Sequence, residues 1–88
     1  MIKRRPAYVI SRKIFNEHTG LALVAPISSR VRGIMLEIVL EEKLETKGAI
    51  LIHQLKSLDF SEHEAEFIER VSQASIDKVK ALIKVITN

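Results

Sequence analysis

The sequence predicts a mainly β domain, a small antiparallel barrel or sandwich, followed by one C-terminal α-helix. Two observations predict it. Between residues 7 and 55 the chain passes through apolar runs of five to seven residues, rich in β-formers and separated by turn signals. After residue 72 the period changes, and apolar residues recur at helical spacing. The connections between the runs are too short for a crossover helix, so neighbouring strands pair antiparallel.

The first strand, residues 7–11 ("AYVIS"), follows Lys3-Arg4-Arg5-Pro6. Pro6 fixes φ and carries no N–H, which suits the first position of a strand. Arg5 therefore sits on stiff backbone at a strand mouth. A guanidinium is costly to bury, so its head faces water or an anionic partner. Residues 12–20 ("RKIFNEHTG") form a polar connection that ends in Gly20 and has room for one helical turn. Residues 21–27 ("LALVAPI") are a buried-type strand brought to its end by Pro26, and residues 28–33 ("SSRVRG") are a cationic loop. A third strand covers residues 34–40 ("IMLEIVL"), a turn region residues 41–48, and a fourth strand residues 49–55 ("AILIHQL"). Residues 73–87 form the helix. Ile76, Val79, Leu82, Ile83 and Ile86 make its apolar stripe, with Ser72 as N-cap, Asp77 early, and Lys80 and Lys84 late, as the helix dipole favours. Between strand and helix lies "SEHEAEFIERV", residues 61–71. Ser61 and Glu64 have the spacing of a capping box and Glu and Ala favour helix, so local propensity alone makes this segment helical.

The bulk numbers narrow the function classes. A chain of 88 residues is one domain, and a domain of this size buries only roughly 60–65% of its unfolded surface. Apolar residues nevertheless make up 47%, an excess that implies a face covered by another chain. The net charge of +3 permits nucleic-acid contact without demanding it. The absence of cysteine removes disulfides and thiolate metal sites and fits a reducing compartment. His18, His53 and His63 lack metal-ligand spacing, and neither a Gly-rich phosphate loop nor a Ser-His-Asp arrangement is present. No apolar run approaches the ~20 residues that span a bilayer. The basic start, residues 1–5, leads into no signal-peptide core. The expected location is the cytoplasm, with no membrane partner, no metal and no cofactor.

Four short motifs then appear in order: Arg5-Pro6 ahead of an apolar strand ending in Ser11; Asn16 shortly before Thr19-Gly20 and a second strand; Pro26-x-Ser28; and Gln54-x-Lys56-Ser57-x-Asp59. This series, covering nearly the whole chain, resembles the MazF/PemK/Kid family of toxin endoribonucleases. The resemblance implies an SH3-like, partly open antiparallel barrel with a C-terminal helix. It implies a homodimer that cuts single-stranded mRNA at a specific sequence without a metal, is silenced by a small cognate antitoxin, and meets DNA only through the toxin–antitoxin complex. It also implies a short strand over residues 65–71, against the local propensity. The chain departs from the family in three places. It begins without the upstream strand and loop that precede Arg-Pro in relatives, so it is expected to be an N-terminally short domain that self-associates through an exposed edge and cuts RNA weakly. His53 stands where relatives carry Asp or Glu. Gly33 is followed by Ile34-Met35-Leu36 rather than aromatic residues.

The chemistry explains why these residue types matter. RNA cleaves itself when its 2′-hydroxyl is activated, the adjacent phosphate is held in line and the 5′-oxygen is protonated as it leaves. The resemblance gives Arg5 the scissile phosphate, with a part in proton transfer, and gives the Ser28 hydroxyl a hydrogen bond to the same phosphate. An arginine suits the task because its planar fork meets two phosphate oxygens at once. Arg4, Ser29, Arg30, Arg32, Gln54 and Lys56 are the candidate RNA contacts. His53 is a candidate acid–base group in place of the family carboxylate, because histidine changes charge near neutral pH. Each has a plainer alternative: a solvated cation for the arginines, a turn residue after Pro26 for Ser28, and a packed side chain for His53. A second functional reading therefore stands beside the nuclease, a truncated relative that binds nucleic acid or antitoxin without turnover.

Overall fold

The computed structural model describes residues 5–60 and 66–87. In chain order these residues form β1 (Ala7–Val9), α1 (Lys13–Thr19), β2 (Leu21–Ser28), β3 (Glu37–Val39), β4 (Ala49–Leu51), a 3₁₀ turn (Ile52–Gln54), β5 (Lys56–Asp59) and α2 (Gln73–Thr87). Every strand pairing among them is antiparallel, and β2 organises the sheet. β1 runs along one edge of β2. On the other edge β5 pairs with its first half, Leu21 to Val24, and β4 pairs with Ile27 and Ser28. β3 continues outward from β4, giving the order β1-β2-β4-β3 with β5 also on β2. The apolar run of β2 suits this central place, since residues on both of its faces are buried, Ala22 and Val24 on one and Ala25 on the other. The result is the expected mainly β, partly open antiparallel barrel with a C-terminal helix.

The core lies on one side of the sheet. Ala25, Ile38, Leu40, Leu44, Ile50 and Ile52 meet Val79 of α2 there, with Tyr8, Ile10, Ile27, Leu82 and Ile83 packed around them. Burying a side chain such as Val79 contributes roughly 1.5–3 kcal/mol. The helix begins where the sequence indicates. Ser72 Oγ accepts the Ser75 N–H at 3.2 Å, and the Ser72 carbonyl accepts the Ile76 N–H at 3.1 Å. The predicted stripe thins along the helix: Val79 is 2% exposed, but Ile86 is 44% exposed.

Four elements differ from expectation. The connection after β1 holds a two-turn helix, α1, closed by Gly20 at φ 74°. The third strand starts at Glu37 rather than residue 34, because the Glu37 carboxylate draws the backbone N–H groups of Arg32 and Ile34 onto itself and curls the chain ahead of it. The fourth strand ends at Leu51, and the 3₁₀ turn lets the chain re-pair with β2 as a fifth strand, β5. Its sequence, "KSLD", carries no apolar run that marks a strand, and half of it faces solvent. Finally, residues 66–71 form neither the strand that the resemblance implied nor the helix that propensity favoured. This segment is held by side chains instead of a ladder. The Glu69 carboxylate accepts the N–H groups of Glu45 and Thr46 at 3.1 and 2.7 Å, and the Arg70 guanidinium lies over the Phe67 ring. Residue 65 and the Ser61–Glu64 capping-box spacing lie outside the described residues.

A second carboxylate fastens the start of α2 to the same turn. Glu41 Oε1 accepts the Ser72 N–H and the Ser75 hydroxyl, each at 3.1 Å, and Lys43 Nζ lies 3.4 Å from Oε2. Hydrogen bonding by the Ser72 side chain and backbone lowers the Glu41 pKa from 4.5 to about 2. The Thr46 and Glu45 contacts hold Glu69 below the usual carboxylate range in the same way, the Thr46 backbone first.

Candidate functional site

The β1–β2 register brings the two candidate catalytic residues together. Ala7 faces Pro26, Tyr8 faces Ala25 and Val9 faces Val24. The Ile27 N–H reaches the Pro6 carbonyl at 3.1 Å, so the pairing continues past the end of β1. One residue further, Arg5 falls opposite Ser28. Directly opposed residues of an antiparallel pair point to the same side of the sheet, with Cβ atoms about 5 Å apart. Arg5 shares that side with Ala7 and Val9, whereas Tyr8 and Ile10 face the core. The solvent-side location is what an arginine at a strand mouth requires. Arg5 is exposed, and among the described residues its guanidinium has no partner.

Ser28 ends β2 in a serine turn. Its Oγ accepts the Arg30 N–H at 3.1 Å and donates to the Arg30 carbonyl at 3.3 Å. The plain reading of Ser28 as a turn residue is thus satisfied, and the hydroxyl still carries a hydrogen whose bond to Arg30 is long. Gly48 sets the height of this turn. It sits at φ 120°, and a Cβ there would lie 1.9 Å from the Ser28 carbonyl oxygen. Beyond the turn, Ser29, Arg30 and Arg32 are all exposed. The loop that carries them is shaped by Glu37, whose Oε1 accepts Arg32 N–H at 3.0 Å and Ile34 N–H at 3.1 Å. Gly48 and Glu37 were not among the sequence candidates. Gly48 closes a turn region, and Glu37 reads as an outward strand position.

Lys56 joins the same side of the sheet from the other edge. It pairs with Val24, which pairs in turn with Val9. One solvent-side surface therefore carries Arg5, Ser28 and Lys56, with the Arg30–Arg32 loop at its end. His53 and Gln54 lie in the 3₁₀ turn between β4 and β5. That turn runs alongside Ala25 and Pro26, on the edge of β2 away from β1. Both side chains are exposed, with Nε2 of each 3.4 Å from the other. His53 is not a packed core histidine. It lies across β2 from Arg5, roughly 10 Å away laterally at two strand spacings, and so contacts neither Arg5 nor Ser28 directly. Arg4 lies outside the described residues.

Other motif residues serve the corner between α1 and β2. Ser11 Oγ donates to Asn16 Oδ1 and accepts the Leu23 N–H at 2.9 Å. Thr19 Oγ1 donates to the Phe15 carbonyl at 2.8 Å and accepts the Leu21 N–H at 3.1 Å. Among the described residues no group of three or more His, Asp or Glu side chains is placed to hold a metal ion, and no helix is long and apolar enough to cross a membrane.

The chain is similar to known proteins over most of its length. Residues 1–87 match the family described as PemK-like, MazF-like toxin of type II toxin-antitoxin system. The endoribonuclease toxin MazF of Escherichia coli K12 is 32% identical over 82 residues, which cover 93% of this chain and 73% of that protein. Among solved structures, MazE-MazF (Form-III) from Deinococcus radiodurans is 30% identical with a TM-score of 0.89, covering 94% of this chain and 84% of that one. A mycobacterial endoribonuclease in complex with its cognate antitoxin has a TM-score of 0.81 over 92% of this chain and 78% of its own, but at 16% identity it is similar in fold alone. The chain belongs to the PemK-like, MazF-like toxin family of type II toxin–antitoxin systems.

Proposed function

We propose that this protein cleaves single-stranded messenger RNA at a specific short sequence, without a metal, and that a cognate antitoxin silences it. The observation that supports this most is the β1–β2 register, whose extension sets the exposed Arg5 opposite the Ser28 hydroxyl on one side of the sheet. The scissile phosphate lies between them. The Arg5 fork binds two of its oxygens, and the Ser28 hydroxyl turns from the Arg30 carbonyl to the phosphate while still accepting the Arg30 N–H. The RNA 2′-oxygen forms a bond to phosphorus as the bond to the 5′-oxygen breaks, and its proton is lost while the leaving oxygen gains one. His53 is the candidate for one of these proton transfers; it lies across β2 from Arg5, so its part requires the RNA strand, or a water, to reach that edge. Each hydrogen bond that strengthens as charge builds on the phosphate lowers the barrier by about 3 kcal/mol. Ser29, Arg30, Arg32, Gln54 and Lys56 hold the strand on either side. Met35, Val39 and Val85, respectively 78%, 58% and 64% exposed, are apolar surface that a homodimer covers. DNA is reached only in the complex with the antitoxin.

Cleavage of single-stranded RNA by the Arg5→Ala and Ser28→Ala proteins, with circular dichroism as a control for folding, tests the proposal. Each rate should fall by about a hundredfold or more. Near-wild-type rates in both would overturn it. The alternative is a chain that binds nucleic acid or antitoxin without turnover. In that case wild-type protein binds RNA and leaves it whole.

A further inference from the structure

The solvent side of the sheet does not end at Arg5 and Ser28. Toward the other end of β1 it runs into an open groove of about 310 Å³ between α1 and the sheet, lined by Val9, Lys13, Asn16, Glu17, Ala22 and Phe60. The register explains why the groove belongs to the same side. Val9 lies four residues from Arg5 along one strand, roughly 13 Å away, and Ala22 lies six residues from Ser28 along the other. Val9 forms the floor and is 50% exposed although it sits within a strand. Phe60 follows β5 and supplies a ring to the wall. One cation, Lys13 on α1, lines the groove, and a second, Lys56, lies on the same side of the sheet in the row of Val9 and Val24. The rim carries a loosely held acceptor, Glu17, which is 64% exposed at its side chain and lies 3.7 Å from the exposed Lys13 ammonium. Such a pair is worth little and yields readily to a better donor.

We propose that this groove is a base-reading subsite, which takes one nucleobase of the RNA strand held by Arg5 and Ser28 and selects, through Glu17, a base that presents an amino group. The inference rests on the functional reading above. An apolar slot with an aromatic side chain, a cation in its lining and further cations along the same side of the sheet matches an unstacked base whose neighbouring phosphates run along the sheet. A carboxylate at the rim accepts a hydrogen bond from an exocyclic amine and repels the carbonyl oxygen that uracil presents in its place. Asn16 does not compete for the amine, because its Oδ1 already takes the Ser11 hydroxyl.

The test is a set of short single-stranded RNAs in which one nucleotide at a time, on both sides of the cleaved bond, is made abasic or replaced by uridine. Wild-type protein should show one position, away from the cleaved bond, where loss of the base slows cleavage about tenfold and uridine does nearly the same. Val9→Phe fills the groove, so intact and abasic RNA should then react equally at that position. Glu17→Ala, on an exposed helical site, should keep the abasic loss and erase the discrimination against uridine. If wild-type protein binds RNA without cutting, the same scan is read as binding affinity, and only the catalytic assignment falls. A flat scan, or a sensitive position untouched by both substitutions, overturns the subsite while Arg5 and Ser28 keep their roles. A flat scan in which Val9→Phe abolishes self-association in sedimentation gives the groove to a second copy of the chain and equally overturns the proposal.

Discussion

The Gly48→Ala substitution should damage the site more than its size suggests. The added methyl carbon would sit 1.9 Å from the Ser28 carbonyl oxygen, 2.7 Å from the Ser28 carbonyl carbon and 2.9 Å from the Ser29 Cα. An ordinary carbon–oxygen contact is about 3.3 Å, so the Ser28 peptide must retreat by about 1.4 Å, and all three obstructing atoms are backbone. The φ of 120° adds strain of roughly 1–3 kcal/mol for any residue with a Cβ. Neither cost relaxes by a rotamer change, because Gly48 is also fixed by its carbonyl, which accepts the Leu40 N–H at 2.9 Å. The expected loss of stability is about 3 kcal/mol or more, or a fall in Tm of roughly 12–24 °C for a domain of this length. In the protein that remains folded, a misplacement of this size at Ser28 should lower cleavage about a hundredfold. Gly20→Ala is the control. Its φ is 74°, nothing lies within 4 Å of the added carbon, and only left-handed strain of about 1–2 kcal/mol applies. Thermal unfolding followed by circular dichroism separates the two. A Gly48→Ala protein no less stable than Gly20→Ala would refute the close approach of Gly48 to Ser28.

The other predictions probe binding, proton transfer and acid stability. Arg30→Ala and Arg32→Ala should weaken RNA binding and each reduce the salt slope by about 0.7, the single-strand value per phosphate contact, and an unchanged slope would remove that loop from the RNA surface. If His53 transfers a proton, His53→Gln should alter the pH–rate profile, and an identical profile would exclude it. Glu41 has a folded pKa of about 2 against an ordinary 4.5, so its stabilisation is present above 4.5 and is lost as pH falls from there toward 2. Glu69 is shifted in the same direction. Unfolding titrations should steepen in that window, and Glu41→Gln should flatten it. A variant with the wild-type acid limb would show that Glu41 does not couple helix α2 to pH.

The elements legible in the sequence are those whose burial imposes a period. Val79, Leu82 and Ile83 mark the inner face of α2, and Ser72 caps it with its own side chain. β2 reads as a buried strand because residues on both of its faces are enclosed, Ala22 and Val24 on one and Ala25 on the other. The misread segments lack a period of their own. "KSLD" becomes β5 only because the 3₁₀ turn at Ile52–Gln54 returns the chain to the open half of β2. The third strand loses its first three predicted residues to Glu37, a tertiary use of a carboxylate that no alternation of apolar and polar residues encodes. In the segment after residue 65, neither propensity nor resemblance anticipated that Glu69 would bond the backbone of a turn more than twenty residues upstream. The site shows the same division. Arg5 and Ser28 were visible as residue types on strand ends, while their juxtaposition depends on a register set by β1 and β2 together. The Asn16, Thr19 and Gly20 motif was equally visible, and its side chains prove to build the α1–β2 corner.

The turn over residues 41–48 links these features into one mechanical unit. Glu41 fastens its beginning to the first turn of α2, and Glu69 fastens its middle through two backbone donors. Leu44 anchors it in the core at 7% exposure. Its last residue, Gly48, then meets the backbone of Ser28 at a distance no other residue type allows. The preceding residue, Ile27, is held on the other edge of β2 by the Pro6 carbonyl, and extending that register sets Arg5 across from Ser28. The candidate phosphate site is therefore located by backbone contacts from two directions, with few side chains of its own in its support. This arrangement suits chemistry that consists mainly of holding a phosphate in line, because positioning then survives the thermal motion of long, solvated arginines. It also explains why the residues most important to the geometry, Gly48 and Glu37, are ones that would never touch the RNA.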